Sequence, residues 1–328
     1  MRKRTRYSLL IALALLAVLA LMVVLRKKAP PEAARLLPES DAIVYVNAKA
    51  VRTLTHLDRT PVHRSLEYQS FVDATGFVPE RDLDAAAFAL HRMPDPNGPN
   101  GPVAYSEVFE GRFDGVKLAA WLSAHASSTE QYAGHTVYAI PVEGRTLRVC
   151  LVGYDTIAAS NTPTAEQIHA MLDRYRTAAS PFSGSSLLES HFRDVPLLAP
   201  VWGIGAIALP FSESGRVSVF GLQLPLAEDT IFVASLRPEA RLDAAVRLRV
   251  EQISPDAAEA ARSTQSLTAI LAIFRGLESQ SQIVTVSDRA LHQAAESLRI
   301  ERQNNRVVLT ATLPVEMLRA LTGSAASH

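Results

Sequence analysis

Ala85-Ala-Ala-Phe-Ala-Leu-His91, then Met93-Pro-Asp-Pro-Asn-Gly-Pro-Asn-Gly-Pro102, then Val103-Ala-Tyr-Ser-Glu-Val-Phe-Glu-Gly-Arg-Phe113, is the stretch that decides the fold. Two runs rich in apolar and aromatic residues flank ten residues of turn chemistry. In that segment Pro fixes φ, and Gly and Asn accept the left-handed conformation. So short a connection, with no helix in it, predicts an exposed hairpin loop between two antiparallel strands, because parallel neighbours need a longer crossover.

The same reading extends outward. Asp41-Ala-Ile-Val-Tyr-Val-Asn47 predicts the first strand, and Val62 to Ala74 a helix stopped by Gly76. Further strands are predicted at Thr136–Ile140, Leu147–Val152, Val217–Leu222, Ile231–Ala234, Leu298–Arg302 and Val307–Leu313, the last two joined by a turn at Gln303-Asn304-Asn305. Helical spacing of apolar residues runs through Leu118, Trp121 and Leu122 behind the N-cap Asp114; it fades at His125, which predicts a short helix. Ile168, Met171, Leu172 and Tyr175 give a full stripe, with Thr164 and Gln167 in capping-box spacing. Leu267, Ile270, Leu271, Phe274 and Leu277 give the longest, on a helix opening at Ser254-Pro255-Asp256 with Ser254 as cap and Pro255 in the first turn, and predict a core-facing surface. A last helix carries Val315, Leu318 and Leu321.

Strands and helices in mixed order, with hairpins, make the class α+β with a largely antiparallel sheet. There is also a repeat. Asp155-Thr-Ile leads through a strand into the helix ending near Tyr175. Asp229-Thr-Ile leads through a strand into a stretch read as helical near Leu242 and Val246, and Asp41-Ala-Ile echoes both. The reading is an internal duplication: a first α+β half over 37–180 and a second over 181–328, meeting between Arg176 and Leu187.

Ahead of the body stands a membrane anchor. Tyr7–Leu25 has no charge, Gly or Pro, and as a helix it spans just under ~30 Å, the thickness of a hydrocarbon core. It is longer than a signal-peptide core and ends in Arg26-Lys27-Lys28 rather than at a small-residue cleavage site. Residues 1–28 are thus a cytoplasmic tail and transmembrane helix partnered by the bilayer, and 29–36, opening Ala29-Pro30-Pro31-Glu32, a stiff linker. The basic N-terminus predicts a single pass with the body outside the inner (cytoplasmic) membrane. The anchor region takes seven of the 33 basic residues and no acid; the 26 that remain face 33 acids, a net of −7. An acidic body without a basic stripe argues against nucleic acid, whose phosphates need neutralising.

Four short motifs carry a resemblance: Leu37-Pro38-Glu39-Ser40-Asp41-Ala42, Tyr132-Ala-Gly-His-Thr-Val-Tyr138, the Asp155-Thr-Ile strand and Ser180-Pro-Phe182. Together they resemble uncharacterised bacterial membrane-anchored proteins grouped as a domain of unknown function. The resemblance implies the bacterial envelope and a repeated α+β body, and brings no catalytic residues.

The chain has no G-x-S-x-G, H-E-x-x-H, Gly-Lys-Ser/Thr phosphate loop or G-x-G-x-x-G. Lone Cys150, in Thr-Leu-Arg-Val-Cys-Leu-Val, reads as a core thiol. His56 and His63 beside Asp58 lack helical ligand spacing, and His135 reads as a turn residue. Ser183-Gly-Ser-Ser186 reads as a loop into a helix over Leu187–Phe192, and Glu80-Arg81-Asp82-Leu-Asp84 as a surface turn. Trp202, between small residues, reads as core or as the wall of a ligand groove. No catalytic residue, metal ligand or cofactor is assigned. The expected function is a non-catalytic binding module of the envelope, taking a protein partner or an apolar ligand. The alternative is an anchored hydrolase, which requires a Ser or a carboxylate pair beside a His, or two of His56, His63, His91, His135, Asp155 and Glu166 converging.

Overall fold

A computed structural model describes residues 29–56, 64–98, 100–177, 183–206, 218–219, 222–223, 229–239, 245–278 and 286–315. The anchor Tyr7–Leu25, Ser180-Pro-Phe182, Asp58 with His63, and the helix after Val315 lie outside them. Among the described residues no helix is long and apolar enough to cross a membrane.

Twelve strands form one sheet: β1 Ala42–Val46, β2 Leu83–Arg92, β3 Val103–Gly111, β4 Ser128–Tyr132, β5 His135–Val142, β6 Arg145–Leu151, β7 Thr156–Ser160, β8 Val201–Ala206, β9 Ile231–Pro238, β10 Ala245–Ile253, β11 Arg299–Gln303 and β12 Arg306–Pro314. Their order is β11-β12-β10-β9-β8-β1-β2-β3-β7-β6-β5-β4, every neighbouring pair antiparallel. The 93–102 connection closes the β2–β3 hairpin, with Arg92 opposite Val103. Outward from the central β1–β8 pair the first four strands on each side read alike, and β5 and β4 then extend the β1 side alone. Each side adds two strands in chain order (β2, β3; β9, β10), then a late strand (β7; β12), then that strand's hairpin partner (β6; β11). In the central pair Val44 lies opposite Gly203. The edge strands are polar, Ser-Thr-Glu-Gln-Tyr and Arg-Ile-Glu-Arg-Gln, which discourages pairing with another chain.

Helices cover both faces. On one face lie α1 Glu32–Leu36, α6 Glu166–Thr177 and α7 Ser186–His191. Ala33, Ala34, Leu36, Ile168, Met171, Leu172 and Leu188 from them bury Ile43, Tyr45, Ala87, Val108, Cys150 and Trp202. On the other face, α5 Gly115–His125 lays Leu118 and Leu122 on Ile140, Val149 and Ala159, buttressed through Trp121 and Phe71 by α3 Leu66–Thr75. On the same face of the second half lies α8 Ala257–Glu278, whose Ser263 accepts from Gln252 of β10 at 2.8 Å; α9 Val286–Ser297 packs on β12. Short helices α2 Ala48–Thr55 and α4 Pro79–Asp82 complete the described set.

Several expectations need correction. Residues 32–36 are no linker: they form α1 with Ala33, Ala34 and Leu36 buried, so the spacer shrinks to Ala29-Pro30-Pro31. The stretch near Val246 is strand β10; Val246, Leu248 and Val250 alternate with Arg247, Arg249 and Glu251, a period of two. Helix α5 runs eleven residues because α3 packs on it. In α8 the cap is Asp256, which accepts from Glu259 N at 2.8 Å, not Ser254. Of its stripe Leu267, Ile270 and Leu271 are half-buried rather than core, while the side chains of Phe274 and Leu277 lie outside the described residues. The strand expected at 217–222 is a two-residue pairing of Ser218–Val219 with Leu222–Gln223.

Candidate functional site

The nearest approach to catalytic geometry is a polar ladder across β2, β3 and β7. His91 Nε2 lies 2.8 Å from Ser106 Oγ, Ser106 Oγ 3.2 Å from Ser160 Oγ, and Ser160 Oγ 2.9 Å from Thr162 Oγ1, which donates to the Thr164 carbonyl at 3.1 Å. The imidazole also hydrogen-bonds the Glu39 carbonyl. A carbonyl only accepts, so the ring donates there, and in the neutral ring Nε2 is then free to accept the Ser106 proton. Burial holds the His91 pKa below its ordinary value, against the opposing pull of Asp41 and the Glu39 carbonyl. The hydrolase reading asked for a Ser beside a His, and this pair meets it in distance. It fails in access: Ser106 and Ser160 are fully buried and His91 nearly so. A nucleophile must reach a scissile carbonyl, and this one faces only protein.

The opposite face holds a different feature. Val44, Phe88 and Glu107 stand side by side in one row across β1, β2 and β3, with Tyr105 and Phe109 two residues either side of Glu107. All five are half-buried. The cluster of Ala42, Leu90 and Val103 with Val44, Phe88 and Tyr105 is made of strand residues alone; among the described residues no helix side chain joins it. Glu107 makes no hydrogen bond or ion pair among the described residues, and burial pushes its carboxyl pKa up. A carboxyl so placed is a partly desolvated acceptor within an apolar strip.

The remaining candidates resolve into structural roles. Trp202 is 2% exposed, stacked on Tyr45 with centroids 5.4 Å apart and edge-on to Phe192 at 5.4 Å. It lies within the core of the described residues; the small residues beside it serve strand approach, since a Cβ on Gly205 would stand 2.4 Å from that of Ala42. Cys150 is buried, its thiol pKa pushed up to about 12 by burial. The acidic cluster is no simple surface turn. Asp82 is buried, accepting from Val78 N and pairing with Arg81 and Arg112, while Arg64 holds Glu80 and Arg52 holds Asp84. Ser185 caps α7, and Ser186 donates through N and Oγ to Glu39, whose carboxylate also takes Arg174 at 2.7 Å. Burial alone would raise the Glu39 pKa; the bonds from Ser186 and Arg174 hold it below the usual carboxylate range. His56 is the left-handed C-cap of α2, and His135 closes the β4–β5 turn beside Ala133 and Gly134, with Tyr175 edge-on to its ring. Among the described residues no three His, Cys, Asp or Glu gather to hold a metal.

No family model matches the chain. No curated protein matches it either. Its fold is similar to that of TP0453 in crystal form III, with a TM-score of 0.50 and 12% identity over 90% of this chain and 99% of that one. Crystal form IV of the same protein gives a TM-score of 0.48 at 12% identity over 90% and 98%. At that identity the likeness is one of fold alone.

Proposed function

We propose that this is a single-pass, inner-membrane-anchored protein of the bacterial envelope whose extracytoplasmic body is a non-catalytic binding module. The anchor is Tyr7–Leu25. The ligand is an apolar molecule carrying a basic group, held on the strip of Val44, Phe88, Tyr105 and Phe109 with that group against Glu107. The observation that carries the reading is Glu107 itself, a carboxyl without a described partner among half-buried aromatic and branched side chains. A cation placed there gains both the carboxylate and the aromatic faces in a partly desolvated setting. The sealed His91–Ser106 pair weighs against the hydrolase reading.

The test is recovery of the ligand. The full-length protein and a Glu107→Gln variant are purified from native membranes, and organic extracts are compared by mass spectrometry. An apolar cation enriched with the wild type and lost from the variant is expected. Equal recovery from both, or none above a detergent blank, contradicts the assignment, and stoichiometric labelling of Ser106 by a fluorophosphonate would favour the hydrolase.

The body further reads as two copies of one unit joined at β1 and β8. Strand order and register support it: pairing Val44 with Gly203 carries Phe88 onto Ala234, Glu107 onto Val250 and Ala159 onto Leu309 without a break. An experimental structure in which 42–160 and 201–314 fail to superpose strand for strand overturns it.

A further inference from the structure

The chain enters the body at one particular end of the sheet. Ala29-Pro30-Pro31 lead into α1, whose Ala33 and Ala34 are fully buried. Burial raises the pKa of the Glu110 carboxyl at the end of β3, Glu32 and Asp155 lie close enough to raise it further, and the Ala33 N–H, donated to it, opposes them. Gly111 N donates to the Asp155 carbonyl at 2.9 Å, so the β6–β7 turn stands beside the entry point. Val201 opposite Val46, and Asn47 N donating to the Pro200 carbonyl at 2.6 Å, put the turn before β8 at the same end. Gly115, packed near Leu151, brings the start of α5 there too.

This end carries an unusual share of exposed apolar side chains: Tyr154 is 100% exposed, Val116 82%, Leu198 81% and Leu197 56%. Leu198 is held there in the left-handed conformation, φ 63°, which a branched side chain rarely adopts. The charges around them are of both signs: Arg81 and Arg112 share Asp82, Lys117 pairs with Asp114, and Glu32, Glu110 and Asp155 lie together.

We propose that this end of the body rests on the bilayer that Tyr7–Leu25 spans, with Val116, Tyr154, Leu197 and Leu198 entering its interfacial layer. The proposal rests on the anchor reading. Six residues, Arg26 to Pro31, separate the span from α1 and reach about 20 Å at most when extended, so whatever end of the body receives residue 31 is held close to the membrane surface. Tyrosine suits that layer, with its ring among the upper acyl chains and its hydroxyl among the headgroups. Phosphatidylcholine, which carries no net charge, separates this apolar contact from the attraction of Arg26-Lys27-Lys28 for anionic headgroups.

The test uses the full chain in phosphatidylcholine vesicles, with an environment-sensitive fluorophore on one added cysteine at a time: Tyr154→Cys, Leu198→Cys, Val142→Cys at the opposite end of the sheet, and Ala17→Cys within the anchor. Cys150 is buried and stays unlabelled, and the substituted body positions are exposed, so folding is retained. Nitroxide-bearing lipids are expected to quench the probes at 154 and 198 severalfold more than the probe at 142. If 154 and 198 match 142 while 17 is quenched, the anchor stands and the docking is wrong. If 17 escapes quenching, both fall. Shielding of 154 and 198 from aqueous iodide without lipid quenching would mean a protein covers the tip, and would also overturn the proposal.

Discussion

Trp202→Ala removes the largest aromatic from the seam between β1 and β8. The side chain is 2% exposed and is sandwiched by Tyr45 on the neighbouring strand and Phe192 from the segment after α7. An aromatic of this kind buries about 150–250 Å², of gross worth about 4–6 kcal/mol at 25 cal/mol/Å². Alanine keeps a little of that and leaves a cavity, so the net loss is about 3–5 kcal/mol. At about 2–4 °C per kcal/mol for a body of this size, melting falls by roughly 6–20 °C. Trp202→Phe keeps most of the packing and recovers most of the loss. Circular dichroism of the full chain in detergent reads the melt, and Trp121, the other of the two tryptophans, reports by fluorescence whether the α3–α5 face survives. A Trp202→Ala melt within about 2 °C of wild type would refute the placement of this ring at the structural centre.

Three further outcomes follow from individual groups. Glu39→Ala, in a carboxylate more than half exposed, costs about 1–2 kcal/mol, the worth of a helix cap with a surface ion pair; because its folded pKa is lowered, denaturant titrations should show the difference present above about pH 4.3 and shrinking as acid protonates the carboxylate. Ser106→Ala strands His91 Nε2 in the core and costs about 1–3 kcal/mol. Since the folded His91 pKa is lowered, the unfolded chain binds the proton first; the wild type therefore loses stability as pH falls below about 6.5, and His91→Gln flattens that slope. Glu107 has the opposite sign: its folded pKa is raised, so its contribution is full below about pH 4.3 and is lost as pH rises through the folded value, and Glu107→Gln should melt higher than wild type at pH 8.

What the sequence made legible was local. The 85–113 hairpin, the Asp114 cap, the Gly76 stop and the stripe of Ile168, Met171 and Leu172 all depend on neighbours within a few residues, and each is found in place. The failures are places where distant residues decide. Residues 32–36 looked like a spacer because two prolines precede them; they are helical because Ala33 and Leu36 find a sheet to bury against. The α8 stripe has core spacing but only half-burial, since periodicity names a face and not what covers it. The Leu37–Ala42 motif gave no hint that Glu39 would clamp α6 to α7, a contact 147 residues apart in sequence. Neither the His91–Ser106–Ser160 ladder nor the Glu107 strip was foreseen. The ladder joins residues 15 and 54 apart, and no local pattern records that. Glu107 did leave a trace: a charged residue between Tyr105 and Phe109 on one face of a strand otherwise read as apolar.

The central claim, a body held outside the membrane by an uncleaved N-terminal helix, is tested most directly by protease accessibility in spheroplasts carrying an epitope before Arg2 and another after His328. The account predicts that external protease removes the C-terminal epitope and leaves a membrane-embedded fragment that retains the N-terminal one and resists carbonate extraction. Protection of the C-terminal epitope until the spheroplasts are lysed, or a mature protein that begins after Ala20, would contradict it.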